Sequence, residues 1–216
     1  MLIFINKYSE VLCVSKKLLM NNNNNNNETW DYEWYATSGE LPTNDGADQN
    51  AITRTFKDDY LEIFVDSNSG FLRFTPGDKY TSTNAILETL VCGSQLFAAD
   101  NGIRVQVSNG EFGMQVKISS YDDQRLKVDK FYRNNGTRKN LKYLEVGVYY
   151  KVRLELEGDT TRIYVDDELL DTSNKSLTGT DNDVSYADGC STTKNCVIFQ
   201  DRTTKGCIKY IKFKQF

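Results

Sequence analysis

The chain of 216 residues carries 26 Lys and Arg against 30 Asp and Glu, a net charge of −4 and a pI near 5.0, with 13 Tyr, 11 Phe and only 2 Pro. Basic and acidic residues interleave instead of clustering, which argues against nucleic acid as a partner, because phosphate contacts need grouped Lys or Arg. There is no histidine, so Ser-His-Asp and Cys-His catalysis are excluded, and the commonest transition-metal ligand is missing.

The first segment, MLIFINKYSEVLCVSKKLLM, lacks the order of basic region, long apolar region and small-residue cleavage site that marks a classical secretion signal. No run reaches the roughly 18 to 20 apolar residues of a membrane span. Residues 1–19 read as an upstream extension, with Met20 beginning the functional chain. The asparagine run at residues 21–27 reads as a flexible linker. Residues 1–28 are thus expected to be an extension and linker, and residues 29–216 a single domain.

Trp30, Tyr32, Trp34 and Tyr35 open that domain, and the first three share one strand parity. Trp30, Trp34 and Tyr35 are candidates for a stacking platform, with a buried aromatic core as the competing reading. Residues 60–66 and 71–74 read as a hairpin across a Ser-Asn-Ser-Gly turn, and residues 85–92 as a strand with Glu88 near its middle. In residues 102–119, Asn109-Gly110 as a two-residue loop pairs Val105 with Met114, Ile103 with Val116, Arg104 with Gln115 and Gln106 with Gly113. Strands are expected at residues 126–132 and 141–148.

The clearest hairpin is YYKVRLELEGDTTRIYVDDELLDTS, residues 149–173. A loop at Gly158-Asp159 pairs Glu157 with Thr160, Leu154 with Ile163 and Val152 with Val165 on one apolar face. The same register sets Glu155 opposite Arg162 and Arg153 opposite Tyr164 on the polar face, where an opposite-charge pair contributes roughly 0.2–1 kcal/mol. Strands at residues 197–200 and 207–213 close the chain. About a dozen short strands with Gly, Asn and Asp turns predict an all-β antiparallel sandwich.

Five cysteines, Cys13, Cys92, Cys190, Cys196 and Cys207, are too irregularly spaced for a disulfide framework, although Cys190 and Cys196 are near enough to pair in an oxidising compartment. No C-x-x-C spacing suggests structural zinc. Three glycosylation-type acceptors, at Asn27, Asn135 and Asn174, are of a kind that arises readily by chance.

Residues 149–172, with Tyr150, Val152, Leu154, the Gly-Asp turn and Ile163-Tyr164-Val165, resemble the paired late strands of the concanavalin A-like superfamily, which includes laminin-G-like modules, legume-type lectins and glucanases. The closing strand with Tyr210-Ile211-Lys212-Phe213 is similar to the last strand of such domains. The resemblance implies a jelly-roll sandwich of two curved sheets, often binding sugar on a concave face or rim. The aromatic opening WDYEWYATSGELP also resembles sandwich domains of phage structural proteins. The same fold hosts lectins, hydrolases, adhesion modules and virion proteins, so function must come from a site.

Glucanases of this fold carry Glu-x-Asp-x-x-Glu or Glu-x-Asp-x-Glu on one strand, and neither occurs here. The expectation is therefore a non-catalytic protein, despite the two-carboxylate route open to glycosidases. Legume-type lectins use calcium, for which Asp181, Asp183 and Asp188 offer oxygen ligands, but the glycine and terminal glutamate of an EF-hand loop are missing. A solvated turn-rich loop is the competing reading.

Sugar binding needs a shallow surface of planar polar side chains with one or two aromatic rings. Glu88, Arg104, Gln106, Gln115 and Lys117 are expected to supply the polar face, and Tyr121, Asp122 and Asp123 the aromatic end of it. An ordinary wet sheet face is the alternative. The leading expectation is a lectin-like carbohydrate-binding module on an exposed particle or cell surface, with a glycan surface as partner. A virion decoration or appendage subunit that assembles with itself or its neighbours is the second, and a glycoside hydrolase the third.

Overall fold

The computed structural model describes residues 28–42, 44–45, 51–66, 70–76, 84–97, 102–108, 113–131, 138–158, 160–174, 195–200 and 204–216. The asparagine run, the Asn109-Gly110 loop, the three aspartates at 181, 183 and 188, Cys13 and Cys190 lie outside the described residues, as do the acceptors Asn27 and Asn135. Among the described residues no helix is long and apolar enough to cross a membrane.

The chain begins with β1 (Tyr32–Tyr35), a 3-10 turn at Ala36–Ser38, β2 (Asn44–Asp45), β3 (Ile52–Phe56), β4 (Leu61–Val65) and β5 (Phe71–Phe74). It continues through β6 (Ala85–Gly93), β7 (Gly102–Ser108), β8 (Gly113–Ser120), β9 (Arg125–Phe131) and β10 (Arg138–Glu145). It ends with β11 (Tyr149–Glu157), β12 (Thr160–Val165), β13 (Glu168–Asn174), β14 (Cys196–Gln200) and β15 (Thr204–Gln215). These form two antiparallel sheets, the expected all-β sandwich. The eight-stranded sheet runs β13-β12-β11-β6-β15-β4-β3 with β1 added on β15, and the seven-stranded sheet runs β10-β9-β8-β7-β14-β5-β2.

Alternation does the sorting. On β8, Met114, Val116 and Ile118 face the other sheet; on β11, Val152, Leu154 and Leu156 do the same. Phe74, Phe199, Phe213, Leu154, Ile103 and Ile118 are fully buried between the layers, each such side chain contributing about 1.5–3 kcal/mol relative to exposure. Close approach of β7 to β8 requires glycine at 102: its φ is 154°, and a Cβ there would lie 2.0 Å from the Ile118 carbonyl oxygen.

The β11–β12 hairpin has the expected register throughout, including Val152 opposite Val165 and Glu157 opposite Thr160. Gly158 takes the left-handed conformation, φ 54°, that such a tight turn demands. The next connection uses Asp166 and Asp167, at φ 52° and 66°, because aspartate tolerates this region better than most residues. Glu155 and Arg162 are opposite but 3.7 Å apart; Glu155 is closer to Arg153, at 2.8 Å, and Arg162 to Glu157, at 3.0 Å.

Two expectations are corrected. The β7–β8 pairing is shifted by two residues, with Val105 opposite Val116, Arg104 opposite Lys117 and Gln106 opposite Gln115. Ser108 is opposite Gly113, a register that a two-residue loop at Asn109-Gly110 does not give. A two-residue slip leaves every side chain on its original face, so hydrophobic alternation does not oppose it. Residues 60–66 and 71–74 do not form a hairpin either: β4 pairs with β3 and β15 in one sheet, whereas β5 pairs with β14 and β2 in the other. Both strands alternate, and alternation is satisfied equally by a hairpin or by a crossing between layers.

Along one side, the edge strands β10 and β13 of opposite sheets are joined by ion pairs. Lys142 reaches Glu168 at 2.7 Å, and Lys139 reaches Asp171 at 2.9 Å. Lys130 of β9, buried, pairs with Asp171 at 2.8 Å and hydrogen-bonds Ser173. Burial opposes ionisation of Asp171, but the two ammonium groups outweigh it and hold the carboxyl below its ordinary range.

Candidate functional site

The outer face of the seven-stranded sheet takes the residues that alternate away from the core. β7 contributes Arg104 and Gln106; β8 contributes Gln115, Lys117 and Ser119; β9 contributes Arg125, Lys127 and Asp129. The registers then build a transverse row, with Arg73 opposite Ile198, Ile198 opposite Arg104, Arg104 opposite Lys117 and Lys117 opposite Asp129. The residues expected on β7 and β8 are therefore brought together on one face.

They are not the wet surface that alternation predicts. Gln106, Gln115, Lys117 and Asp129 are each 0% exposed, and Arg104 is 8% exposed. Gln115 donates from Nε2 to Gln106 Oε1 at 3.1 Å, and Asp129 Oδ2 pairs with Lys127 at 2.9 Å and lies 3.4 Å from Ser119 Oγ. Burial takes these residues out of contact with water, and each contact they keep with one another carries more weight for it. A strand's period tells which face a side chain takes, but not whether that face is covered.

Glu88 is separated from this group altogether. It lies on β6 in the other sheet, opposite Arg153 and Lys212, and its side chain accepts a hydrogen bond from the Tyr210 hydroxyl at 3.0 Å. Burial, and after it the Glu88 charge, pushes the Tyr210 phenol well above its usual range. Arg153 beside it donates to Glu28 at 2.9 and 3.2 Å and to Glu155 at 2.8 Å. The Trp30 ring stands over the same face, 5.8 Å from the Arg153 guanidinium and 5.6 Å from the Lys212 ammonium.

The opening aromatics therefore do not share one face. Trp34 is core, stacked on Phe74 at 6.1 Å with its indole N–H given to the Glu40 carbonyl at 2.8 Å, and Tyr32 packs against the same core. Trp30 precedes β1, so strand parity does not apply to it.

The exposed part of the seven-stranded sheet's outer face is its rim. Tyr121, one residue past β8, is 46% exposed, and Tyr143 on β10 is 45% exposed. Their ring centroids are 4.4 Å apart at an interplanar angle of 55°. The Arg125 guanidinium lies 5.1 Å from the Tyr121 ring centroid and 4.8 Å from that of Tyr143, within cation–π range of both.

Asp122 sets this geometry. Its Oδ1 accepts the backbone N–H groups of Gln124 at 3.0 Å and Arg125 at 2.7 Å, an Asx-type turn that ends the β8–β9 connection. Its Oδ2 accepts from Arg125 Nε and Nη2 at 2.9 and 2.7 Å. The Arg125 guanidinium, and next the Gln124 N–H, hold the Asp122 carboxyl below its ordinary range. The hydrogen-bonded contact with Tyr121 raises the Tyr143 phenol.

Tyr121, Asp122 and Asp123 are thus placed together at one rim. Tyr143 and Arg125 complete it and were not anticipated. The only sequence signal for Arg125 is its spacing of three from Asp122. Tyr143 has none, because the β9–β10 register, Lys127 opposite Tyr143, is what carries it there.

Among the described residues no group of three or more Cys, Asp or Glu is placed to hold a metal ion. Cys196 is disulfide-bonded, whereas Cys92 and Cys207 are buried as thiols opposite one another on β6 and β15.

No protein-family model and no curated relative matches the sequence. The structure is similar to that of a carbohydrate esterase from the Shiga toxin-encoding bacteriophage phi24B, with a TM-score of 0.62 and 11% identity over 87% of this chain and 98% of that one. It is also similar to domain 4 of an extracellular arabinanase from Geobacillus stearothermophilus, solved in complex with arabinotriose, with a TM-score of 0.53 and 8% identity over 87% of this chain and 92% of that one. A sialidase from Trypanosoma rangeli matches with a TM-score of 0.50 and 10% identity over 76% of this chain, but only 26% of its own length. At these identities the likeness is one of fold: an all-β sandwich shared with domains of proteins described as acting on or binding carbohydrate.

Proposed function

We propose that residues 29–216 form a carbohydrate-binding module that does not turn its ligand over, with the site at the Tyr121, Tyr143 and Arg125 rim. The observation that carries this reading is the pair of half-exposed tyrosine rings, 4.4 Å apart and held by a fixed guanidinium. Such a pair offers apolar faces to the C–H side of a sugar ring and polar groups to its hydroxyls. Its fold likeness to a domain that holds arabinotriose supports the same ligand class.

A non-catalytic role is supported by the state of Asp122. Its carboxylate is occupied by two backbone donors and a bidentate arginine, an arrangement that favours the ionised form and opposes the protonated form a general acid needs. A place outside the reducing cytosol is supported by the disulfide at Cys196.

A broad glycan array followed by titration calorimetry tests the proposal. The wild-type protein is expected to bind at least one glycan without releasing product, and the Tyr121→Ala, Tyr143→Ala double variant to lose that binding by about tenfold or more. Binding that ignores both substitutions would remove the rim from consideration. A homo-oligomer that dissociates when residues 1–28 are deleted would favour the assembly reading instead.

A further inference from the structure

Among the described residues two cations stand at the rim, and both are engaged. Arg125 gives two N–H groups to Asp122 Oδ2, and Lys127 lies 2.9 Å from Asp129. The neighbouring lysines on β10 point their charge elsewhere, Lys139 to Asp171 and Lys142 to Glu168 at the sandwich edge. Two further carboxylates border the tyrosines: Asp123, exposed in the turn beside Asp122, and Glu145, exposed and opposite Arg125 in the β9–β10 register. Asp122, Asp123 and Glu145 thus stand against Arg125, and Lys127 forms a neutral pair with the buried Asp129 beside them, so the charge of the described rim residues is negative.

Building on the sugar-binding reading of this site, we infer that its ligand is an uncharged saccharide and that acidic sugars, uronates and sialylated glycans, are rejected. An acidic glycan lying on the tyrosine pair would bring a carboxylate towards this negative rim with no uncommitted ammonium or guanidinium among the described rim residues to receive it. Discrimination would arise from repulsion, a common source of specificity. An uncharged ring meets only the aromatic faces and hydrogen-bonding groups, and its binding does not depend on ionic strength.

The test compares matched probes on the full chain: lactose with 3′-sialyllactose, and galactobiose with digalacturonate, together with the best glycans from a broad array. Neutral members are expected to bind about fivefold or more tightly than their acidic counterparts at low salt. Their affinity should stay constant from roughly 50 to 500 mM NaCl, whereas the penalty on the acidic members should shrink as screening increases. Asp123→Asn should narrow the neutral-to-acidic ratio by about twofold. An acidic probe that binds as tightly as its neutral counterpart, and weakens with salt, overturns this inference and leaves the sugar-binding reading standing. Absence of any glycan binder overturns both.

Discussion

The centre and the rim of the seven-stranded sheet's outer face are built from the same strands and have opposite fates. Lys117 and Tyr121 lie four residues apart on one parity, yet Lys117 is 0% exposed and Tyr121 is 46% exposed. At the centre the polar groups are buried, and Gln115 hydrogen-bonds Gln106. At the rim the strand has ended, and a turn fixed by Asp122 leaves two aromatic rings open on one side. A polar side chain in mid-sheet is therefore weaker evidence for a binding surface than an exposed aromatic pair beside a constrained turn.

The largest expected effect lies at the centre. Asp129→Ala removes a buried carboxylate from Lys127 and Ser119 and should lower unfolding stability by about 2–3 kcal/mol, read as a shift in denaturant midpoint. A change below about 0.5 kcal/mol would mean that Asp129 does not hold the buried centre together. Next is Tyr121→Ala, for which a loss of glycan affinity of about tenfold is expected with little change in melting temperature, because the ring is half in water. If stability fell and affinity did not, the distinction between centre and rim would be reversed.

A smaller effect is expected from Asp122→Asn, which keeps the size of the side chain but weakens its hold on Arg125; affinity should fall by less than in Tyr121→Ala. The sign of the pH dependence follows from the same pair. Asp122 titrates lower in the folded protein than in an unfolded chain, so its contribution to the ordered turn is complete above about pH 4 and is lost as pH falls through the folded value. Glycan affinity is thus expected to be level from pH 5 to 8 and to decline only in stronger acid, and Asp122→Asn should abolish that decline. Calorimetric titrations carried from about pH 8 down to about pH 3 check both.

The two hairpins show how far the sequence could be read. In β11–β12 the alternation and the loop at Gly158 both specify one register, and that register is observed. In β7–β8 alternation specifies only the parity, and the pairing lies two residues away from the one a two-residue loop would give. For the site, Tyr121, Asp122 and Asp123 were legible as an aromatic and acidic turn at a strand end. Arg125 and Tyr143 were not, since one is placed by a side-chain contact and the other by pairing with a neighbouring strand. Glu88 was grouped with the wrong residues because nothing in its own strand shows which sheet that strand joins.

By itself the sequence determined the all-β class, most strand positions and the face each strand side chain takes, because strand geometry has a period of two and turns have demanding residues. Only the tertiary structure decided which sheet each strand enters, that Arg104, Gln106, Gln115 and Lys117 are buried, and that Tyr121, Tyr143 and Arg125 meet at a rim. These depend on strand order and on the register between strands far apart in the chain, interactions that leave no periodic trace in the residues they place.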